Sequence, residues 1–111
     1  MKKTITIDGK EMQLDCNALL PRQYRKEFGR DLIVDMQRLK KDYDGSPDAV
    51  NTECFENLTW LMLRAAGEDV GESVDEWLAT IEDSFAIYGV INDVVELWLS
   101  SQRTTSKPKK K

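Results

Sequence analysis

Apolar and polar positions along this chain follow two periods. Between Lys3 and Cys16 they alternate, as in a half-buried β-strand. Ile5, Ile7, Met12 and Leu14 fall on one face, and Thr4, Thr6, Glu11 and Gln13 on the other. Asp8-Gly9 separates the two halves, and a type I′ turn needs positive φ at both central positions. Setting Ile7 opposite Lys10 pairs Ile5 with Met12 and Lys3 with Leu14. The parity holds, so residues 3–16 are expected to form a hairpin. An isolated two-stranded ribbon is marginal in water. Its apolar face should lie on helices, and its edges could pair with another chain.

From Leu19 onward the period lengthens to that of a helix. Leu20, Tyr24 and Phe28 are spaced by four, with Pro21 suited to a first turn and Gly29 to a stop. Asp31–Tyr43 places Leu32, Met36, Leu39 and Tyr43 inward and Arg38, Lys40 and Lys41 outward. The run Asp44-Gly45-Ser46-Pro47 reads as a loop. A third helix, from about Val50 to Ala66, carries a stripe of Cys54, Leu58, Leu61, Met62 and Ala65, widened by Phe55, Trp60 and Leu63. An apolar surface that broad predicts a central helix. Gly67 to Gly71 ends it.

The stretch Ser73–Trp98 organises the rest. Ser73 and Glu76 have the spacing of a capping box. Val74, Trp77, Leu78, Ile81 and Phe85 then form one helical stripe, and Ile87, Ile91, Val94, Val95 and Trp98 a second, with Gly89 near the join. The expected architecture is α+β and mainly α-helical. An N-terminal β-hairpin packs on a compact bundle of about five helices over residues 19–103. Residues 1–103 form one domain, and 104–111 are expected to be a disordered basic tail.

Composition narrows what such a domain could do. The chain has 111 residues, 41% hydrophobic and 32% charged, which favours a folded domain over disorder. No apolar run approaches the ~20 residues of a membrane helix, and MKKTITIDGK has no apolar core for a secretory signal. Cys16 and Cys54 read as buried thiols rather than a disulfide. The chain lacks histidine, the commonest general base and metal ligand near neutral pH. No nucleophile–base pair or phosphate loop is visible. Asp42, Asp44 and Asp48 resemble half of a calcium loop, but the glycine and terminal glutamate do not follow in register. No enzyme, cofactor or metal site is expected.

The net charge of −4 conceals three blocks. Residues 1–41 carry ten Lys/Arg against six Asp/Glu, residues 42–98 carry only Arg64 against fourteen acids, and residues 99–111 carry five bases and no acid. The overall acidity argues against nucleic acid as a partner. Opposite blocks could attract within the fold or between copies.

Beyond these local signals, the chain resembles the tail assembly chaperone family of long-tailed bacteriophages and prophages of Gram-positive bacteria. The resemblance covers most of residues 3–103. It rests on the ITIDGKEMQL hairpin followed directly by RQYRKEFGRDLIVDMQRL, where Tyr24, Arg25, Phe28, Gly29, Arg30, Asp31 and Leu32 fit the family's run. It rests also on the central ENLTWLMLRAAG and on EWLATIEDSFAIYGVINDVVELW, with Trp77, Leu78, Ile87, Leu97 and Trp98 in the expected places. Each motif is short; their order and spacing carry the likeness.

The resemblance implies a non-enzymatic role in the host bacterial cytoplasm: coating the tape measure protein, keeping it soluble and recruiting tail tube subunits, with no place in the mature virion. It also implies a longer frameshifted product, and Lys109, Lys110 and Lys111 then mark the candidate slip site. The other reading of those lysines is a solvated tail.

Core packing is the default for Trp60, Trp77 and the aromatics of the final stretch. Phe85, Ile87, Tyr88, Ile91 and Trp98 are the candidates for partner binding, with one or two of Phe85, Ile87 and Tyr88 expected at the surface. Arg22, Arg25 and Arg30 read by default as surface residues or intramolecular ion pairs, and otherwise as candidate contacts to the acidic middle of a neighbouring copy. Two other classes fit the residues: an acidic DNA mimic or anti-repressor using 42–98, and a structural tail or head-completion protein.

Overall fold

The computed structural model describes residues 1–45 and 52–106, with the side chains of Lys40, 42–45, Thr52 and 102–106 left aside. It is an α+β fold in which an N-terminal antiparallel hairpin packs against five helices. Strands β1 (Lys2–Ile7) and β2 (Lys10–Asp15) pair in the expected register, with Ile5 opposite Met12 and Ile7 opposite Lys10. Asp8 and Gly9 have φ of 54° and 80°, the two positive values a type I′ turn demands. Ile5, Ile7 and Leu14 are buried, and Met12 is half-buried beside them. Lys3 shares that face but reaches the C-terminal helix, where Nζ lies 3.5 Å from Asp93 and 3.7 Å from Glu96.

Helix α1 (Leu20–Phe28) begins with Pro21 in its first turn and stops at Gly29, whose φ of 67° is a left-handed cap. Asp31 then opens α2 (Leu32–Gly45). Its Oδ1 accepts the backbone N–H groups of Ile33 and Val34, two donors a helix start leaves without partners. Leu32, Met36 and Leu39 point inward as expected.

Helix α3 (Thr52–Ala65) is the centre of the molecule. Eight of its residues from Cys54 to Leu63 are buried, and it touches β2, α1, α2 and α4. It closes in a Schellman motif: Glu68 N–H donates to Leu63 and Gly67 N–H to Arg64, with Gly67 at φ 91°. The freed carboxylate of Glu68 turns to the hairpin and accepts from Gln13 N–H at 2.8 Å, so that donor on β2 has a partner.

Two expectations about the last third need correction. Helix α4 (Val74–Ala79) is only six residues long, so Ile81 and Phe85 do not continue its stripe. Thr80 takes the Trp77 carbonyl with its hydroxyl, and Glu82 N–H donates to Asp8 Oδ2 instead of to the carbonyl of Leu78. The hairpin turn thus claims the donor that the next helical turn would use. Asp83–Ala86 is a turn, followed by a single 3-10 turn at Ile87–Val90 and then α5 (Ile91–Ser106). The capping box is also half-formed: Glu76 N–H donates to Ser73 Oγ, but its carboxylate accepts from Glu72 rather than Ser73.

The C-terminal helix continues to Ser106, past residue 104 where a disordered tail was expected. Residues 107–111, including Lys109, Lys110 and Lys111, lie outside the described residues, as do Ser46, Pro47 and Asp48; Asp42, Asp44 and Gly45, expected in a loop, belong to α2 instead, whose backbone runs on to Gly45. Cys16 and Cys54 are both buried free thiols. Among the described residues, no helix is long and apolar enough to cross a membrane.

Candidate partner-binding surface

The chain keeps its large apolar side chains inside, with few exceptions. Phe85 is the extreme one, 74% exposed. A frayed loop could show a phenylalanine by accident, but this bend is pinned at both ends. Asp8 holds Glu82 N–H at 3.1 Å, and Asp83 Oδ1 accepts from Phe85 N–H at 3.0 Å. The carbonyls of Asp83, Phe85 and Ala86 accept in turn from Ala86, Tyr88 and Gly89. Local hydrogen bonds of this kind let an Asp in a turn set the next residues' course.

Behind Phe85 runs an aromatic ladder. Its ring centroid is 6.4 Å from that of Tyr88, and Tyr88 is 6.2 Å from Phe55, which is fully buried on α3. The Tyr88 hydroxyl donates to Glu56 Oε2 at 2.8 Å. Beside the ladder is a cleft of about 260 Å³ lined by Leu78, Ile81, Ile87, Tyr88, Glu56, Asp83 and Ser84. That is below the roughly 300–1,000 Å³ of typical small-molecule sites. Leu78, Ile81 and Ile87 give it apolar walls, and Glu56 and Asp83 contribute two carboxylates to the lining.

A larger depression of about 390 Å³ lies between α1 and α3, lined by Gln23, Lys26, Glu27, Leu61, Arg64 and Ala65. Arg64 contacts Glu27 at 3.3 Å and lies over the Trp60 ring, and Lys26 leaves the lining one cation in excess. No exposed ring stands beside it. The cleft next to Phe85 is therefore the better candidate for binding.

The five residues put forward for partner contact separate. Phe85 is exposed, and Tyr88 and Ile91 are half-buried. Ile87 and Trp98 are packed in the core, 3% and 7% exposed; of the two, Ile87 also lines the cleft. The reason is packing: the 3-10 turn lies against β1 and α5, which covers one side of it. The lining residues Glu56, Leu78, Ile81, Asp83 and Ser84 were not anticipated as partner contacts. Asp83 carried the one available signal, since Asp favours turns and interrupts a helix.

The three arginines also separate. Arg22 and Arg25 are exposed on α1 and, among the described residues, form no ion pair. Arg30 is committed within the fold. Its Nε donates to Asp35 Oδ2 at 2.7 Å and its Nη2 to Oδ1 at 2.8 Å, a fork-to-fork pair. Tyr24 donates its hydroxyl to the same Oδ2 at 2.9 Å, and its oxygen lies 3.7 Å from Cys54 Sγ. Asp35 is only 4% exposed. The Arg30 hydrogen bonds hold its carboxyl below the ordinary range, against the opposing effect of burial. Burial first, then Cys54 and Asp35, pushes the Tyr24 phenol well up, and burial raises both thiols. Protonated, enclosed thiols are unreactive.

This polar cluster joins α1, α2 and α3, and all its groups are satisfied. The YRKEFGRDL run is thereby explained as architecture: Tyr24, Gly29, Arg30 and Asp31 each hold a helix end or a helix pair. Among the described residues there is no group of three or more Cys, Asp and Glu placed to hold a metal. No protein-family model, curated protein or solved structure matches the chain.

Proposed function

We propose that this protein is a phage tail assembly chaperone that binds and solubilises the tape measure protein and, through a longer frameshifted form, recruits tail tube subunits in the host cytoplasm. The carrying observation is Phe85, held 74% exposed on a pinned bend beside an apolar cleft. The partner is the one that the resemblance to the tail assembly chaperone family implies. A tape measure protein is a very long helical chain with apolar stripes, and such stripes aggregate unless covered. Many copies of a small module along one chain bind with avidity that no single contact provides.

The test is co-expression with a phage tape measure protein, taken from downstream of this reading frame where a long helical gene is found there. The wild-type chain should bring that protein into the soluble fraction. Phe85→Asp should abolish this while circular dichroism remains native. Solubilisation unaffected by that change would sink the assignment of the surface. A gene with no slippery A-run at the Lys109–Lys111 codons, and no overlapping frame or long helical gene beyond, would count against the chaperone reading itself.

A second reading has its own observation. Between Arg64 and Arg103 there are nine acids and no Lys or Arg, the pattern an acidic mimic of DNA would use. It predicts binding to a basic DNA-binding protein by charge, indifferent to Phe85. Self-association through Arg22 and Arg25 predicts oligomers that dissociate as salt rises; a monomer at low salt and high concentration would exclude it.

A further inference from the structure

The geometry points to a specific kind of occupant for the cleft beside Phe85: one amphipathic helix of a partner protein whose apolar stripe is flanked by lysine or arginine. This rests on the chaperone reading only for the partner's name; the chemistry comes from the site.

Three observations combine. The first is shape. A cleft of about 260 Å³ is too small for a cofactor and suits an inserted side chain or two. The projecting Phe85 ring beside it offers the complementary knob. An interrupted apolar surface of this sort matches a helix that presents side chains at i, i+3 or i+4 and i+7.

The second is charge. Glu56 and Asp83 line the cleft, and the exposed Glu82 adjoins it. Asp93 and Glu96, further along the same acidic block, are already answered by Lys3. The cleft on the other side of Ile81 holds one base, Lys10, together with Asp8 and Asp69. The balance around Phe85 is therefore negative. A partner stripe flanked by acids would meet like charges at the rim, whereas flanking cations would meet complementary ones.

The third is order. The bend is held by Asp8 and Asp83 and backed by Tyr88 and Phe55, so Phe85 is positioned before a partner arrives. Contacts made without ordering a loop retain more of their binding free energy.

The experiment uses the full-length chain and three labelled peptides, read by fluorescence anisotropy. One has a leucine stripe flanked by lysines. The second has the same stripe flanked by glutamates. The third has the lysines with serines in place of the leucines. The lysine-flanked stripe should bind at least about tenfold tighter than either control. Phe85→Ala should weaken it about tenfold. Ser84→Lys should weaken it several-fold by placing a cation in the cleft while keeping the Asp83 and Asp8 hydrogen bonds. Raising salt should narrow the gap between the first two peptides.

Equal binding of the lysine- and glutamate-flanked stripes would overturn the proposal, as would no binding by a natively folded chain. Binding of the lysine–serine peptide as tightly as the first, unaffected by Phe85→Ala, would replace it with a charge-only acidic mimic. A wild-type dimer dissolved by Phe85→Ala, with no peptide competition, would assign the cleft to a second copy. Solubilisation of the tape measure protein without the charge preference would remove this inference and leave the chaperone reading. The charge preference without any such solubilisation would do the reverse.

Discussion

The Asp35 cluster and the Phe85 bend invert the usual rule in opposite directions. One buries a carboxylate, a phenol and a thiol among three helices; the other leaves a phenylalanine ring in water. Both are held by hydrogen bonds, yet they answer different demands. At the first, every polar group has a partner inside the chain, so its chemistry is consumed by the fold. At the second, the backbone is satisfied while the side chain has little to cover it. A conspicuous run such as YRKEFGRDL can thus be structural, while the candidate surface rests on a single ring that the fold leaves exposed.

Substitutions at either region should sharpen that contrast. The largest stability loss belongs to the core end of the aromatic ladder: Phe55→Ala should cost about 3–5 kcal/mol, measured by urea denaturation. Loss under about 1 kcal/mol would mean the ladder is not anchored on α3. Next is Asp35→Ala, which leaves the buried Tyr24 hydroxyl without its acceptor and should cost about 1–3 kcal/mol.

The same cluster predicts a response to acid. Asp35 is held below its ordinary value of 3.8, so its contribution is complete above that pH and is lost as pH falls through the lower folded-state value. Denaturation midpoints followed from about pH 5 down to about pH 2 should show this decline, and Arg30→Gln should flatten it. An undiminished slope in that variant would show that Arg30 does not set the Asp35 carboxyl.

Smaller effects fall at the bend. Asp8→Gly keeps the positive φ of the turn but removes the acceptor for Glu82 N–H; it should cost about 0.5–1.5 kcal/mol and speed amide exchange at Glu82. Unchanged exchange would disprove the tether. Phe85→Ala should alter stability by no more than about 0.5 kcal/mol, since little of the ring is covered. A large loss there would place Phe85 in the core and remove the candidate surface.

The hairpin register, the two glycine stops and the breadth of α3 were legible from local signals. Parity around Asp8-Gly9 admits one pairing that puts the apolar residues together. Gly29 and Gly67 stand where the chain turns left-handed. The partner surface was legible only as a region. Phe85 lies at helical spacing from Ile81, Trp77 and Val74, so periodicity placed it on a stripe that the fold does not build. Ile87 and Trp98 share the composition of an interface but are covered by their neighbours. Arg30 shared with Arg22 and Arg25 the reading of a surface residue or an intramolecular ion pair, and the fold alone selects the pair by bringing Asp35 of α2 to it.

The sequence by itself determined which segments become strand and helix, because turn geometry, capping and apolar period act over a few residues. The tertiary structure decided where α4 stops and therefore which aromatic ring faces water. The deciding bond joins Asp8 to Glu82 across 74 positions. A carboxylate from the hairpin turn takes the amide that the next helical turn requires, and no local pattern records a donor claimed from that far away.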